Sequence, residues 1–570
     1  MEKNGQRCGR LVLLPCPFQG HINPMLQLGT ILHSKGFSIT IVHTPFNSPH
    51  PSNHPNFKFS LIPDGLSAED IASGDLVSLI QKLNVNCKSH LQEYLSQIMI
   101  GRQGSHDGIV CIIHDELMYF TEAVANFLKL PTIILRTTSA ATLLARTTLG
   151  QLKVEGLVSF QDFVSQDLVP NLHPLRFKDL PFPLNRNLES FSQVVNDIYK
   201  MRTSSSAVIW NTMDCLERSS LAFIQQQCQV PNLPIGPMHK LGPVSPSSSL
   251  LEEDTNCMAW LGKQTKNSVI YVSLGSIASM NEKELAEMAW GLANSQKPFL
   301  WVVRPDSSTN GKRNKVLSQF YRETVGERGC IVNWAPQKEV LAHSAVGGFL
   351  SHCGWNSTLE SICEGIPMIC KPCFGDQRVN ARYVSHVWKV GLELENELVR
   401  CEIEKAITIL MADKEGEAMR ERAKNLKEKI ELCIKEGGSC NNSLNRVHYL
   451  AAGGNLEQDL RLIEDDKVVV SMCKFNEGGP RDTIIPYMEN GHAPLAVEVL
   501  DGVGAGGGAR AATGGAGVSA RGGARAATGA ATGGDTCVGV KEEFDWSNEG
   551  LEGEDFVNDI FGESSPPHNC

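Results

Sequence analysis

No stretch of this 570-residue sequence approaches the ~18 consecutive apolar residues that a membrane-spanning helix needs, so no membrane span is expected. A secretory leader is missing too: after the charged start, the apolar run LVLL lasts four residues before Pro15. The chain is therefore expected to stay in the cytoplasm. Basic charge is scarce. The formal net charge is −11, and Lys541 to Cys570 alone holds nine Asp or Glu against one Lys, which leaves the remainder nearly neutral. Such a chain carries no electrostatic footprint for nucleic acid. A disulfide framework is not expected either, because the 18 cysteines are scattered and lack secretory context. The first strand-to-helix turn, PFQGHINP, contains no G-x-G-x-x-G, which argues against a nicotinamide cofactor.

What the sequence does have is length and alternation. A chain this long exceeds one core, since cores stop growing beyond ~250–300 residues. In its first part LVLLP reads as a strand, NPMLQLGTILHSKG as a helix capped by Asn23 with Pro24 at its first position, and FSITIVHT as the next strand. GIVCIIHDE with LMYFTEAVANFLKL, then PTIILRTTS with AATLLARTT, repeat the order, and SSAVIWNTMD closes it. After the Pro/Ser-rich PMHKLGPVSPSSSLLEE a second alternation runs from NSVIYVSLGS to IPMICKPCFGDQ. It ends in one long charged helix, EIEKAITILMADKEGEAMRERAKNLKEKIELCIKEGG. The expected fold is α/β, two tandem Rossmann-like domains facing a cleft: residues 1–240 and 256–450, joined by a linker at 241–255. Residues 451–570 are expected to be a low-complexity, disordered extension. There GGARAATG occurs twice, and its Gly/Ala/Thr/Arg-rich surroundings bury too little apolar surface to offset ordering entropy.

In open parallel sheets ligands bind beyond the carboxyl ends of the strands. His21, Asp115, Thr137 and Ser276 all fall at such ends. In the second half, WAPQKEVLAHSAVGGFLSHCGWNSTLESICEGIPMICKPCFGDQ gathers more of them. His352 ends a short strand, Gly354 permits close approach, and Asn356 and Ser357 open a helix. The free N–H groups and the dipole of that helix, roughly half a positive charge, suit a phosphate. Glu360 faces the same end and is suited to accept hydrogen bonds from sugar hydroxyls, while Trp334 offers a flat face for a base. Together they ask for a nucleotide carrying a pyrophosphate and a sugar.

From Trp334 to Gln377 this segment resembles the signature box of plant family 1 UDP-sugar-dependent glycosyltransferases. The W-A-P-Q opening, the H-C-G-W-N-S centre, Glu360 and the D-Q close stand in register, and GHINP, IGPM and YVSLGS extend the likeness over residues 7–450. The resemblance implies the GT-B arrangement of the two domains and a monomeric enzyme of plant secondary metabolism. It implies that Trp334 stacks on uracil, that the backbone of Ala335 and the side chain of Gln337 hold the base and ribose edge, and that Glu360 binds the ribose. His352, Asn356, Ser357 and Ser276 would bind the phosphates; Trp355, Asp376 and Gln377 would meet the sugar, with glutamine at the close pointing to glucose.

The family's base matches His21, and its aspartate partner matches Asp115. A neutral imidazole with an unperturbed pKa near ~6.5 suits proton removal from an incoming hydroxyl, and the carboxylate would orient it. The implied reaction is a single inverting displacement on UDP-glucose. It would give a β-glucoside of a hydroxyl, carboxyl or nitrogen on a small lipophilic acceptor, consistent with LMYF and DLPFPL in the first half. No metal or other cofactor is expected, because the helix N-terminus and His352 would do the charge work. Thr137 is a further sugar or acceptor contact, with Thr138 equally placed, while His114 and Glu116 read as structural.

Other readings compete. Cys370 and Cys373 form a CxxC that suits a redox dithiol, and Cys353, Cys363, Cys370 and Cys373 invite a zinc reading, although no second CxxC accompanies them. A sugar-nucleotide epimerase shares the two-domain pattern. A non-catalytic UDP-sugar-binding protein with a partner-recruiting tail is the main alternative, and the single RGG at 521–523 is read as solvated tail.

Overall fold

The computed structural model describes residues 9–100, 108–158, 162, 164–183, 187–201, 205–242, 249–278, 280–304, 325–395 and 397–451, with the backbone of 468–471 and 485–488. Seven strands form one parallel sheet: β1 (Arg10–Leu14), β2 (Ser38–His43), β3 (Lys58–Leu61), β4 (Ile109–Asp115), β5 (Thr132–Arg136), β6 (Ala207–Trp210) and β7 (Asn232–Pro234). Their order is β3-β2-β1-β4-β5-β6-β7. Six more form a second parallel sheet: β8 (Val269–Ser273), β9 (Phe299–Val302), β10 (Gly329–Val332), β11 (Val346–Ser351), β12 (Met368–Cys370) and β13 (Gly391–Glu393), in the order β10-β9-β8-β11-β12-β13. RLVLL and VIYVS are buried at every position, as strands covered by helices on both faces require. These are the two Rossmann-like units expected.

Strand order decides where a ligand can sit. In the first sheet the chain winds outward from β1 to β3 and then crosses back to β4, so the crevice opens between β1 and β4, where Leu14 pairs with His114. In the second it winds from β8 to β10 and crosses to β11, where Ser273 pairs with Ser351. The residues that leave these four strand ends are His21, Asp115, Ser276 and His352.

Two helix boundaries differ from expectation. The first helix spans Gln19–Ser34 with Phe18 as its cap, so Asn23 is not the cap and Pro24 lies inside. The turn closes early because Phe18 accepts from the backbone N–H of both His21 and Ile22, at 2.8 and 2.9 Å. Pro24 has no N–H to give to the Gly20 carbonyl four residues back. That carbonyl instead accepts from Asn356 Nδ2, in the second half, at 2.7 Å.

The long charged helix is two helices, Arg400–Ala412 and Lys414–Ile434, broken at extended Asp413. A Cβ on Gly416 would stand 2.2 Å from the Leu410 carbonyl oxygen, so glycine is what lets the second helix pack onto the end of the first. Lastly, the helix Ser439–Ala451 returns to the first sheet, burying Leu444, Val447 and Leu450 in one cluster with Leu11, Leu13 and Met25.

Of the linker, 243–248 lie outside the described residues, as does the extension beyond Ala451 apart from Val468–Ser471 paired antiparallel with Ile485–Met488. No helix among the described residues is long and apolar enough to cross a membrane. Packing at the second sheet is tight enough to test. A Cβ on Gly347 would meet the Asn267 carbonyl oxygen at 2.3 Å. Gly347→Ala should cost about 1–3 kcal/mol by overpacking and lower the thermal midpoint; an unchanged midpoint would contradict this packing.

Candidate active site

A cavity of ≈ 630 Å³ lies between the two sheets, bordered by residues from both halves. Every candidate residue borders it except Asp115, which is buried behind His21. His21 stands on the first turn of its helix, 18% exposed, with Nδ1 2.8 Å from Asp115 Oδ2. Asp115 Oδ1 accepts from the backbone N–H of Leu117 at 2.9 Å, which fixes the carboxylate. A carboxylate only accepts, so Nδ1 carries the proton and Nε2 is left as the basic nitrogen. Thr137 turns its hydroxyl to the same Nδ1 at 2.9 Å. Its observed partner is therefore the imidazole.

Burial disfavours a charged His21, but Asp115, by charge and hydrogen bond, overcomes this and the net shift is upward from 6.5. Behind the pair, Glu116 shares its carboxylate between Arg146, at 3.0 Å, and buried Arg136, at 3.7 Å. Arg146 also borders the cavity and was not foreseen. His114 is buried against Glu122 at 2.9 Å, away from the cleft.

On the opposite wall, the helix Trp355–Glu364 starts at Gly354 with no side-chain cap and no acidic residue in its first turn. Its first N–H groups therefore remain available to an anion. The turn that delivers them runs through Cys353 at φ 64. His352 is slotted between two glycines: a Cβ on Gly275 or on Gly354 would come within 2.5 Å of its ring. Burial, with the Arg304 guanidinium nearby, pushes the His352 pKa down to about 4, against a hydrogen bond to the Ser273 backbone that pulls the other way. His352 is neutral near pH 7. In that state it offers a dipole to an incoming anion. Arg304 is engaged with the carbonyls of Ser276 and Ala278, holding the β8 loop.

Glu360 sits one turn into the helix and accepts from Gln337 Nε2 at 2.7 Å; the same amide reaches Ser357 Oγ at 3.0 Å. Burial raises the Glu360 pKa, partly offset by that hydrogen bond. Trp334 and Ala335 border the cavity beside them. Trp355 directs its indole inward, donating to the Asn211 carbonyl at 2.8 Å, so what it can offer a ligand is backbone. Asn356 commits its side chain to the first half, to the Gly20 carbonyl and to Asn211 Nδ2 at 3.3 Å. Gln377 Oε1 accepts from the N–H groups of Cys373 and Phe374, which leaves its Nε2 to face a ligand. Asp376 is raised by burial, with Arg146 and an Asn380 hydrogen bond pulling the other way.

The first-half wall is apolar, built by Phe18, Ile80, Leu117, Phe182, Phe191 and Val194. Ile80 lies on the helix Leu76–Ile100, which sequence reading did not place. Cys370 is fully buried, and among the described residues no group of three His, Cys, Asp or Glu gathers as a metal site.

Over residues 21–423 the chain matches the sequence profile of the family described as UDP-glucoronosyl and UDP-glucosyl transferase. It is 49% identical over 430 residues to UDP-glycosyltransferase 76E1 of Solanum lycopersicum, covering 75% of this chain and 88% of that one. It is 48% identical over 456 residues to flavonol 3-O-glucosyltransferase UGT76E12 of Arabidopsis thaliana, covering 79% and 98%. Among solved structures it is similar to Os79 from O. sativa in complex with UDP, with a TM-score of 0.66 and 29% identity over 77% of this chain and 100% of that one. A UDP-glucosyltransferase from Polygonum tinctorium capable of glucosylating indoxyl matches with a TM-score of 0.67 and 25% identity, covering 78% and 98%.

Proposed function

The chain belongs to the plant family 1 UDP-glycosyltransferases, with the GT-B fold, and on that premise we propose that it transfers glucose from UDP-glucose, with inversion, to a small lipophilic acceptor. The observation that carries this reading is the His21–Asp115 contact of 2.8 Å on the apolar wall of a cavity whose other wall is an uncapped helix start. His21 Nε2 removes the proton from the acceptor's hydroxyl, carboxyl or ring nitrogen as it attacks the anomeric carbon. Asp115 stabilises the imidazolium that forms. The departing UDP leaves its diphosphate against the first N–H groups of Trp355–Glu364, with neutral His352 and Ser276 as further donors. Trp334, Ala335, Gln337 and Glu360 hold the uridine, Ser357 faces the diphosphate, and Asp376 and Gln377 hold the sugar. We place the reaction in the cytoplasm, with a monomer acting on the two small molecules and no metal.

The test is to supply UDP-glucose with a panel of lipophilic alcohols, phenols, acids and azoles and to detect UDP and β-glucoside. Failure to bind UDP by titration would sink the reading, and binding without turnover throughout the panel would favour the non-catalytic alternative. The pH dependence has a definite sign. His21 must be neutral to act, and its pKa lies above 6.5 in the folded enzyme, so kcat/KM should fall as pH drops through that raised value. In Asp115→Asn the main raising influence is gone, while burial and the weaker pull of Glu116 remain. The acid limb should move to lower pH while the plateau rate falls; a limb that stays in place would separate Asp115 from the base.

A further inference from the structure

One buried residue behind the cleft serves neither base nor nucleotide directly, yet touches the frame of both. Asn380 lies on the helix Gln377–Arg382 and is 1% exposed. Its Nδ2 donates to the Cys353 carbonyl at 3.0 Å and to Asp376 Oδ2 at 3.1 Å. Two acceptors on that side fix the amide orientation, so Oδ1 points the other way. There it accepts from Ser139 Oγ, in the first half, at 3.0 Å.

Ser139 is itself saturated: as N-cap of Ala140–Val154 its Oγ accepts from the backbone N–H of Thr142 at 3.1 Å and lies 2.7 Å from the Thr142 hydroxyl. It stands two residues beyond Thr137, the hydroxyl partner of His21. Asn380 thus meets the left-handed turn that seats His352, the carboxylate proposed to meet the sugar, and the loop that braces the base.

We propose that Asn380 is a positioning residue, which holds Asp376 aimed at the donor sugar while tying that carboxylate to the base-bearing half through Ser139. This rests on the reading of Asp376 as a sugar contact. Burial favours the protonated acid, and Arg146, the Asn380 amide and His21 oppose it, so loss of the amide removes one of the influences that keep Asp376 an acceptor. The bond to Ser139 adds register. Donor sugar and base then approach along one connected set of hydrogen bonds.

The test uses the full chain and separates sugar from nucleotide. UDP and UDP-glucose are titrated into wild type, Asn380→Ala, Asp376→Asn and Ser139→Ala between pH 5.5 and 8.5, and single-turnover transfer is measured with an acceptor from the panel. For Asn380→Ala the ratio of the UDP-glucose Kd to the UDP Kd should rise about tenfold, as loss of one charge-assisted hydrogen bond predicts, over and above any UDP affinity lost with the bond to the Cys353 turn. That ratio should also worsen on acidification at a higher pH than in wild type, because Asp376 now protonates more readily. Ser139→Ala should leave the ratio alone and slow transfer about threefold to tenfold.

Equal loss of UDP and UDP-glucose in Asn380→Ala, or an unchanged ratio and pH profile, would overturn the proposal. Should that variant fail to fold, Asn380→Ser is read in the same way. Wild type that forms no glucoside would count against the proposed function, whereas wild type that works while Asn380→Ala matches it counts against this inference alone.

Discussion

Replacing His21 by alanine should lower transfer from UDP-glucose by about 10²–10⁴-fold while leaving UDP affinity within about twofold. The asymmetry follows from position. His21 belongs to the first turn after β1, braced by Asp115 and Thr137, and it stands against the apolar wall where an acceptor would lie. No candidate nucleotide contact depends on it, since those residues follow β8, β10, β11 and β12 in the other half. Removing the ring deletes the proton acceptor and leaves the donor seat intact. The measurement is single-turnover transfer beside a calorimetric titration with UDP. A variant that loses UDP affinity in step with rate would show that the ring supports the fold of the cleft, and a variant that keeps its rate would remove His21 from the chemistry.

Gly275→Ala should be the most damaging single methyl in the donor seat. Gly275 has φ +72, a conformation that alanine adopts only at a cost of about 1–3 kcal/mol, and its Cβ would lie 2.5 Å from His352 Cε1 and Nε2. The ring cannot yield toward Gly354, because the space there is equally close. Either the imidazole or the β8 loop with Ser276 must move, and displacement on the ångström scale costs about 10²-fold in a site of this kind. UDP affinity should fall along with kcat/KM. The control is His352→Ala, which empties the slot: the double variant should lose little more UDP affinity than His352→Ala alone, with the φ cost at position 275 remaining as lost stability. Normal UDP binding by Gly275→Ala would mean that the pairing of ring and glycine is incidental.

Much of this site was legible because it rides on strand ends. LVLLP, GIVCIIHDE, NSVIYVSLGS and GGFLSH are strands from their apolar runs, and in a doubly wound sheet whatever follows them meets at the crevice. His21, Asp115, Ser276 and His352 could therefore be named before their distances were known. What sequence could not supply was partnership across the cleft. Nothing local to Asn380 points to Ser139, 241 positions away, or from Trp355 to Asn211, because such bonds depend on how two sheets far apart in sequence face each other.

Local rules also misled where tertiary contacts prevailed. Asn-Pro is a good helix start, yet the helix starts at Gln19 because Phe18 provides an earlier cap and the carbonyl left bare by Pro24 finds a distant donor. The unbroken charge pattern across Asp413 hid a turn that only the close approach at Gly416 required. The titration state of His352 was invisible as well, since it reflects burial and a neighbouring guanidinium and not the residue type.

That bare carbonyl at Gly20 has a consequence for evolution and engineering. A substitution such as Pro24→Ala would be scored as an improvement by any rule that looks at the helix alone, since it removes a breaker and restores an internal bond. The restored N–H would compete with Asn356 for the oxygen that now joins the two halves. A more perfect helix would thus make a less united molecule, and the imperfection is the mortise into which the second half fits its tenon.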